Sequence, residues 1–429
     1  MEISLEMKKV LIVSPNFPPN NSADLHRVRQ MLPHLEYNNW YAHVVTVKLE
    51  YIENLNLDPS LELSLPNNFG KSYVGSLPIN LTRRFGVGSL SIRTFFHYLF
   101  KVNSILKKEK FDLIFFSTTA FHLLALGPIW KKLFNVPFIV DIQDPWRSDY
   151  YLSKPKTERP PKFRINYSID KYLENYTIPR SDGILSVSSQ YIETFKNRYE
   201  LKNAYFLVEP FSGVIKDFKL LEQIQSNTFI SFENSKRNIV YVGRGGHDLA
   251  FALSTFFRAV KLLPNELIEN IHIWFIGTSY APKGQGKKTI EHLASQFKLE
   301  NIVTEITDRI PYFESLRLLK KADLLFVPGS NDLGYTASKI YPYILAEKPL
   351  LTIFHESSSV NSILEYCDFG HRYTFNIEFL DQKTTKDISN SIQYLLNNQY
   401  VRLDYEKFQP FSDKEMTKRI CRFFDAVIL

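Results

Sequence analysis

Apolar and polar positions along this chain follow two rhythms. Short, nearly unbroken apolar runs recur at Val10–Ser14, His43–Val47, Leu113–Ser117, Phe138–Ile142 and Gly183–Val187, and between them apolar residues fall three and four apart. The runs predict strands covered on both faces, as in a parallel sheet, and the spaced stretches predict helices. Asp24–Leu35 and Phe121–Phe134 have the length of parallel crossovers. The first half therefore reads as one doubly wound α/β domain.

The rhythm breaks between Glu209 and Arg237, with Pro210, Gly213 and the polar run SFENSKRN. It restarts at Asn238–Val242, Ile271–Ile276, Val303–Ile306, Leu324–Val327 and Leu350–Phe354. Leu253, Phe256, Phe257 and Val260 form an i, i+3, i+4, i+7 helical face between the first two of these. A second α/β domain of the same design is predicted. At the end of the chain, Ser412 and Glu415 make an S-x-x-E capping box ahead of the stripe Met416, Ile420, Phe423, Phe424 and Val427. No strand follows, so this helix must dock on a body already built. The expected limits are 1–212, 213–408 and a terminal helical segment 409–429.

Composition changes this picture little. A length of 429 residues with 44% hydrophobic content suits two or three domains with sizeable cores. Cys367 and Cys421 make no disulfide framework, so a reducing compartment, the cytoplasm, is expected. The charged opening MEISLEMKK does not read as a signal peptide, so none is expected, and no apolar run reaches the roughly 18 residues of a membrane span.

Charge is more informative. The net +7 is concentrated between Arg83 and Lys110, where seven basic residues face Glu109 alone, with Phe85, Phe95, Phe96, Tyr98 and Phe100 interleaved. One reading is a core-packed helix with a solvated basic face, its inner stripe being Ile92, Phe95, Phe96, Leu99, Val102 and Leu106. The other is peripheral contact with an anionic membrane surface. No nucleic-acid-binding module accompanies the charge, so no nucleic acid partner is expected. No clustered His, Asp and Cys set calls for a metal, and no cofactor motif is present.

Open parallel sheets bind ligands beyond the carboxyl ends of their strands, and two such sheets predict a cleft between the domains. In VPFIVDIQDPW an apolar strand runs into Asp141, Gln143 and Asp144. Carboxylates at such a position are costly to bury. They read as groups that bind or assist a hydroxyl. Alternatively, Asp141 pairs with an arginine such as Arg147 and Asp144 caps the turn. Asn20, Asn21 and Ser22 precede a helix carrying Arg27, and such a helix start can hold a phosphate; a plain N-cap is the alternative. After Asn238–Val242 come Gly243, Arg244, Gly245 and Gly246, where the guanidinium can fork onto phosphate, although a tight turn accounts for the glycines equally well. Gly277 and Thr278 follow another strand. Ser338 and Lys339 open a helix, and a cation at that positive end is unfavourable unless an anion binds. Pro342 is tolerable in its first turn. His355 and Glu356 also follow a strand and read either as sugar contacts or as ordinary loop residues.

Four segments together resemble the retaining glycosyltransferases of the GT-B fold, especially the family-4-like group: VLIVSPNFPPNNSADLHRVRQMLPHL, FDLIFFSTTAFHLLALGPIWKKLFNVPFIVDIQDPW, YVGRGG and ADLLFVPGSNDLGYTASKIYPYILAEKPLL. The resemblance implies two Rossmann-like domains facing across a cleft, with the terminal helix crossing back to the first. It implies a nucleotide-sugar donor held by the second domain. Arg244 and Lys339 would neutralise its diphosphate, and Ser338 with the amides near Tyr335 and Thr336 would hold phosphate oxygens. The loop carrying Arg309 and Ile310 would cradle the base, with Gly243, Gly245, Gly277 and Thr278 close by. The acceptor, a glycan or lipid-linked hydroxyl, would sit near Asn20–Arg27 and Asp141–Arg147. Retention would follow from same-face attack, with no protein nucleophile and no metal. The chain departs from the family at Pro342, where a glutamate is usual, at His247–Asp248, where a lysine is usual, and at Gln143, where a histidine is usual. The expected role is surface-polysaccharide or glycoconjugate synthesis, in the cytoplasm or peripherally on the inner membrane face. A nucleotide-sugar epimerase and a non-catalytic binding module of the same fold stay open.

Overall fold

The computed structural model describes residues 7–53, 56–152, 154–160, 162–225, 230–331, 339–376, 382–398 and 401–429. The chain divides into two compact units, 1–211 with 413–429, and 212–412.

The first unit is built on seven parallel strands: β1 Lys8–Val13, β2 Trp40–Val47, β3 Gly70–Val74, β4 Leu113–Ser117, β5 Phe138–Ile142, β6 Gly183–Ser186 and β7 Tyr205–Val208. Their order is β3-β2-β1-β4-β5-β6-β7. Val13 lies opposite Val45 on one side and Phe116 on the other. The central strands are buried on both faces, which is why their sequences are unbroken apolar runs. β3 and β7 lack that signature because they are edges: GKSYV opens on Gly, Lys and Ser, and Tyr73 and Tyr205 lie about half in solvent.

One face of this sheet is covered by helices Leu90–Lys108 and Leu126–Phe134 and by part of Phe163–Thr177. The other is covered by helix His26–Leu35 and the last helix, Asp413–Ile428. Met416, Ile420 and Phe424 of the last helix are fully buried there. The Phe424 ring lies 5.1 Å from Phe115 and 5.4 Å from Trp40. Burial of such side chains is worth about 1.5–3 kcal/mol each, enough to anchor a helix that belongs to no βαβ unit.

Helix Leu90–Lys108 corrects the expected stripe. Tyr98 and Val102 are buried and Phe95, Leu99 and Leu106 pack against the core, but Ile92 and Phe96 are exposed. The buried face instead carries Arg93, Thr94 and Tyr98. Most of these polar groups find partners: the two terminal guanidinium nitrogens of Arg93 donate to the Ser76 hydroxyl, the Leu77 and Tyr51 carbonyls and Glu53, Thr94 donates to the Leu90 carbonyl and Tyr98 to the Val45 carbonyl, while the Arg93 Nε is buried without one. No helix among the described residues is long and apolar enough to cross a membrane.

The second unit repeats the design with six parallel strands: β8 Arg237–Val242, β9 Ile271–Ile276, β10 Val303–Ile306, β11 Leu324–Pro328, β12 Leu350–His355 and β13 His371–Phe375, in the order β10-β9-β8-β11-β12-β13. Helix Ala250–Lys261 packs on this sheet through the predicted face, with Phe256 stacked 3.9 Å from Phe326. Each sheet reverses strand order beside its first strand, between β1 and β4 and between β8 and β11. At such switch points the loops diverge and leave room for a ligand.

Candidate functional site

The switch point of the first unit is acidic. Asp24, at the start of the helical segment after β1, accepts hydrogen bonds from Asn16 at 3.0 and 3.1 Å and from the Ser22 hydroxyl at 2.6 Å. The hydroxyls of Thr118 and Thr119, just past β4, reach the same carboxylate at 3.3 Å. One carboxylate thus joins the ends of β1 and β4. This overturns the expectation of a phosphate loop at Asn20, Asn21, Ser22 and Arg27: the helix start already holds an anion. Asn20 and Asn21 are buried, Asn20 donating to Asn16, while the Ser22 hydroxyl serves Asp24.

Arg27 and Asp141 are corrected together. Both are fully buried and pair at 3.3 Å. Arg27 also donates to the carbonyls of Glu209 and Pro210 and lies over the Phe211 ring. Asp141 takes further hydrogen bonds from Gln143 at 2.7 Å and Ser117 at 2.9 Å. The partner of Asp141 is therefore Arg27 and not Arg147, which lies 3.6 Å from Asp149 and 3.7 Å from Glu174. Asp141, Gln143 and Arg27 hold the end of β5 in place and do not meet solvent.

Asp144 is the carboxylate of VPFIVDIQDPW that stays exposed. Its carboxyl is raised above the ordinary value, first by partial desolvation and then by the negative charge of Asp24. Asp24 was not picked out in sequence because an acidic residue in a first helical turn is ordinary.

The switch point of the second unit is cationic. Arg244 leaves β8 and binds Asp248 with two hydrogen bonds, 2.9 and 2.6 Å. The Ser330 hydroxyl, beyond β11, also donates to Asp248, and the Asn331 amide donates to its backbone carbonyl at 2.9 Å. Burial works against the Asp248 charge, but the hydrogen bonds from Arg244 and Ser330, with the Arg244 charge, hold its carboxyl below the ordinary value. Gly246 has φ +153°, and a Cβ there would collide with the Asp248 carboxylate, so this pair requires the glycine.

Lys339 faces the same region. Desolvation, and then repulsion from Arg244 and Arg309, pushes its ammonium down to about 8. Lys339 is thus within electrostatic reach of both Arg244 and Arg309, and among the described residues no carboxylate partners Lys339. Arg309 is exposed, with its guanidinium over the Tyr280 ring at 5.8 Å, and Ile310 beside it is half-buried. Lys339 leads into a helix of six residues, Ile340–Leu345, with Pro342 in its first turn. Tyr343 of that helix ties it to the end of β8, its hydroxyl accepting from the Val242 amide at 2.7 Å.

The neighbouring loop is held by a residue that sequence reasoning missed. The Thr278 hydroxyl, expected on the donor, donates instead to Glu305 at 2.6 Å. The other Glu305 oxygen takes the amides of Ile290 and Glu291. The amides of Gly243 and Gly245 are likewise engaged, with the carbonyls of Ile276 and Thr278. Gly277 adopts φ +73° to make its turn. Tyr335, Thr336 and Ser338 lie outside the described residues. His355 is buried and accepts from the Ser357 amide, and Glu356 accepts from Asn376.

Comparison of the sequence with protein-family models and with curated proteins gives no match. Solved structures are similar along the whole chain. HepE of Anabaena, in complex with UDP and glucose, has a TM-score of 0.56 at 15% identity, covering 98% of this chain and 100% of that one. A glycosyltransferase of Rickettsia africae has 0.54 at 12%, covering 98% of each chain. A UDP-forming α,α-trehalose-phosphate synthase of Burkholderia xenovorans, in complex with glucose-6-phosphate, has 0.58 at 11%, covering 97% and 100%. At these identities the likeness is one of fold: two Rossmann-like units of the GT-B class.

Proposed function

We propose that this protein is a retaining glycosyltransferase that moves a sugar from a nucleoside-diphosphate donor to an acceptor hydroxyl. The carrying observation is that Arg244, at the end of β8, and Arg309, beyond β10, both act on the charge of Lys339. Burial first, and then the neighbouring cations, work against the Lys339 charge, and a diphosphate would relieve that cost. As the bond between the anomeric carbon and the diphosphate oxygen breaks, negative charge grows on the leaving group, and fixed cations there favour the transition state over the ground state. The acceptor oxygen bonds to the anomeric carbon on the face the diphosphate leaves, and its proton passes to a departing phosphate oxygen. In this reading the charge is carried by the three side chains, and neither a protein nucleophile nor a metal enters.

The acceptor is assigned to the first unit. A sugar or lipid-linked sugar offers hydroxyl donors, and the acidic β1/β4 switch point offers Asp144 as their acceptor. Surface-polysaccharide or glycoconjugate assembly is the role in keeping with this chemistry. The similar structures that were solved with UDP or glucose-6-phosphate support a uridine donor as the first to try.

The test is incubation of purified protein with radiolabelled UDP-, GDP- and ADP-sugars and a panel of glycan and polyprenyl-diphosphate-sugar acceptors. Transfer of label with the donor's anomeric configuration supports the proposal. Isomerised donor without transfer would make the protein an epimerase, and binding with unchanged donor would make it a recognition module.

A further inference from the structure

The first unit leaves two apolar stripes in solvent on neighbouring helices. On Leu90–Lys108 they are Ile92, Phe96 and Phe100, with Phe96 59% and Phe100 68% exposed. On Phe163–Thr177 they are Ile165, Ile169 and Tyr172, at i, i+4 and i+7, with Ile165 62% and Tyr172 70% exposed. Phe85, 80% exposed, stands on the turn before the first of these helices. The two helices are tied together. His122 meets Ser91 of the first at 2.6 Å and Asp170 of the second at 3.4 Å, and the Lys162 ammonium donates to the Gly86 carbonyl at 3.2 Å. Isolated exposed apolar residues need no explanation, but aligned stripes on two linked helices do.

Cations accompany them. Arg83, Arg84, Lys101, Lys107 and Lys108 are exposed on the first helix and the turn before it, Arg83 pairing with Glu53, and Lys162, Arg164 and Lys171 are exposed at the start of the second and along it. Acidic groups on these segments are fewer: Glu109 pairs with Lys9, Asp170 with His122, and Glu174 is buried with Arg198. We propose that this surface docks on an anionic lipid bilayer, with the aromatic and aliphatic stripes entering the headgroup boundary and the cations meeting lipid phosphates. A second copy of the chain is the poorer occupant, because a twofold contact through this patch would set like charges against each other. The inference concerns the first unit alone and is independent of the donor chemistry assigned to the second.

Vesicle co-sedimentation of the full chain tests it. Binding is expected to phosphatidylcholine vesicles carrying phosphatidylglycerol, weaker by about tenfold or more on pure phosphatidylcholine and at high salt. Phe96→Ser with Phe100→Ser, and separately Lys101→Glu with Arg164→Glu, should each weaken binding by about tenfold, with circular dichroism unchanged because all four sites are exposed. Phe85→Trp should show a blue-shifted emission on vesicle addition. No sedimentation with anionic vesicles overturns the proposal, as does binding that survives both double variants. A concentration-dependent dimer abolished by Phe96→Ser with Phe100→Ser would assign the surface to a second copy and overturn it equally.

Discussion

Arg244 and Asp248 form a two-pronged ion pair, at 2.9 and 2.6 Å, where β8 ends. The chain has Asp248 close to where the resembled family carries a lysine, so part of the positive charge at the switch point is spent on an internal anion. Asp248→Asn keeps a hydrogen-bond acceptor for Arg244 and removes the negative charge. The expected outcome is a several-fold tighter affinity for nucleoside diphosphate at low salt, measured by calorimetry. A weaker affinity would mean that the carboxylate matters more for aiming the guanidinium than for diluting its charge.

Lys339 makes ligand affinity and stability depend on pH with opposite signs. Its ammonium is pushed down to about 8 in the folded chain, against 10.5 ordinarily. Between those values the unfolded chain binds more protons, so stability of the free protein rises with pH across that window. A diphosphate needs the charged form. Its affinity should be flat below about pH 8 and fall above it, by up to about tenfold per pH unit. Calorimetry in buffers of different ionisation heat should show proton uptake on binding near pH 8, absent in Lys339→Ala.

The buried pair of Arg27 and Asp141 is structural, and variants separate that role from catalysis. Removing one partner strands a charge, at a cost of about 3–5 kcal/mol. Asp141→Asn or Arg27→Met should lower the denaturation midpoint accordingly, and Arg27→Met with Asp141→Leu should recover much of the loss. A single variant of unchanged stability would contradict this account of the β5 end.

Asp144 should act on the acceptor and not on the donor. Loss of a hydrogen bond to a charged group costs about 1.5–3 kcal/mol, so Asp144→Asn should lower kcat/KM for the acceptor roughly 10- to 150-fold and leave nucleotide affinity unchanged. The ionised form is required, and its carboxyl is raised. Activity should therefore fall on acidification at a pH above the usual carboxylate range. Asp24→Asn removes the neighbouring negative charge and should move that acidic limb downward.

The architecture was largely legible in the sequence, because strands buried on both faces leave contiguous apolar runs. Leu113–Ser117, Phe138–Ile142, Ile271–Ile276 and Val303–Ile306 match their strands residue for residue. Three of the four edges, β3, β7 and β13, were not legible, since a strand covered on fewer sides accepts Lys, Ser, Arg and Tyr, whereas the edge β10 keeps Val and Ile. Helical periodicity alone could not place Phe96: both it and Arg93 fit a stripe, and only the partners waiting for the guanidinium decide which turns inward. The site was legible in part. Strand ends mark Arg244, Lys339 and Asp144 as the residues proposed for the site, whereas Asp24 and Glu305 gather their partners from distant segments, and no local pattern marks such residues.

The central claim is that the second unit's three cations accept a diphosphate, and a melting-temperature shift tests it directly. With nucleoside diphosphate at about 100 times its Kd, mass action adds about 2.7 kcal/mol. For a unit of this size that is about 2–4 °C per kcal/mol. Among UDP, GDP, ADP and CMP, one diphosphate should raise the melting temperature of the wild-type protein by several degrees, and Lys339→Ala should lose the shift. A panel that moves nothing, or a shift of equal size in the variant, would contradict the assignment.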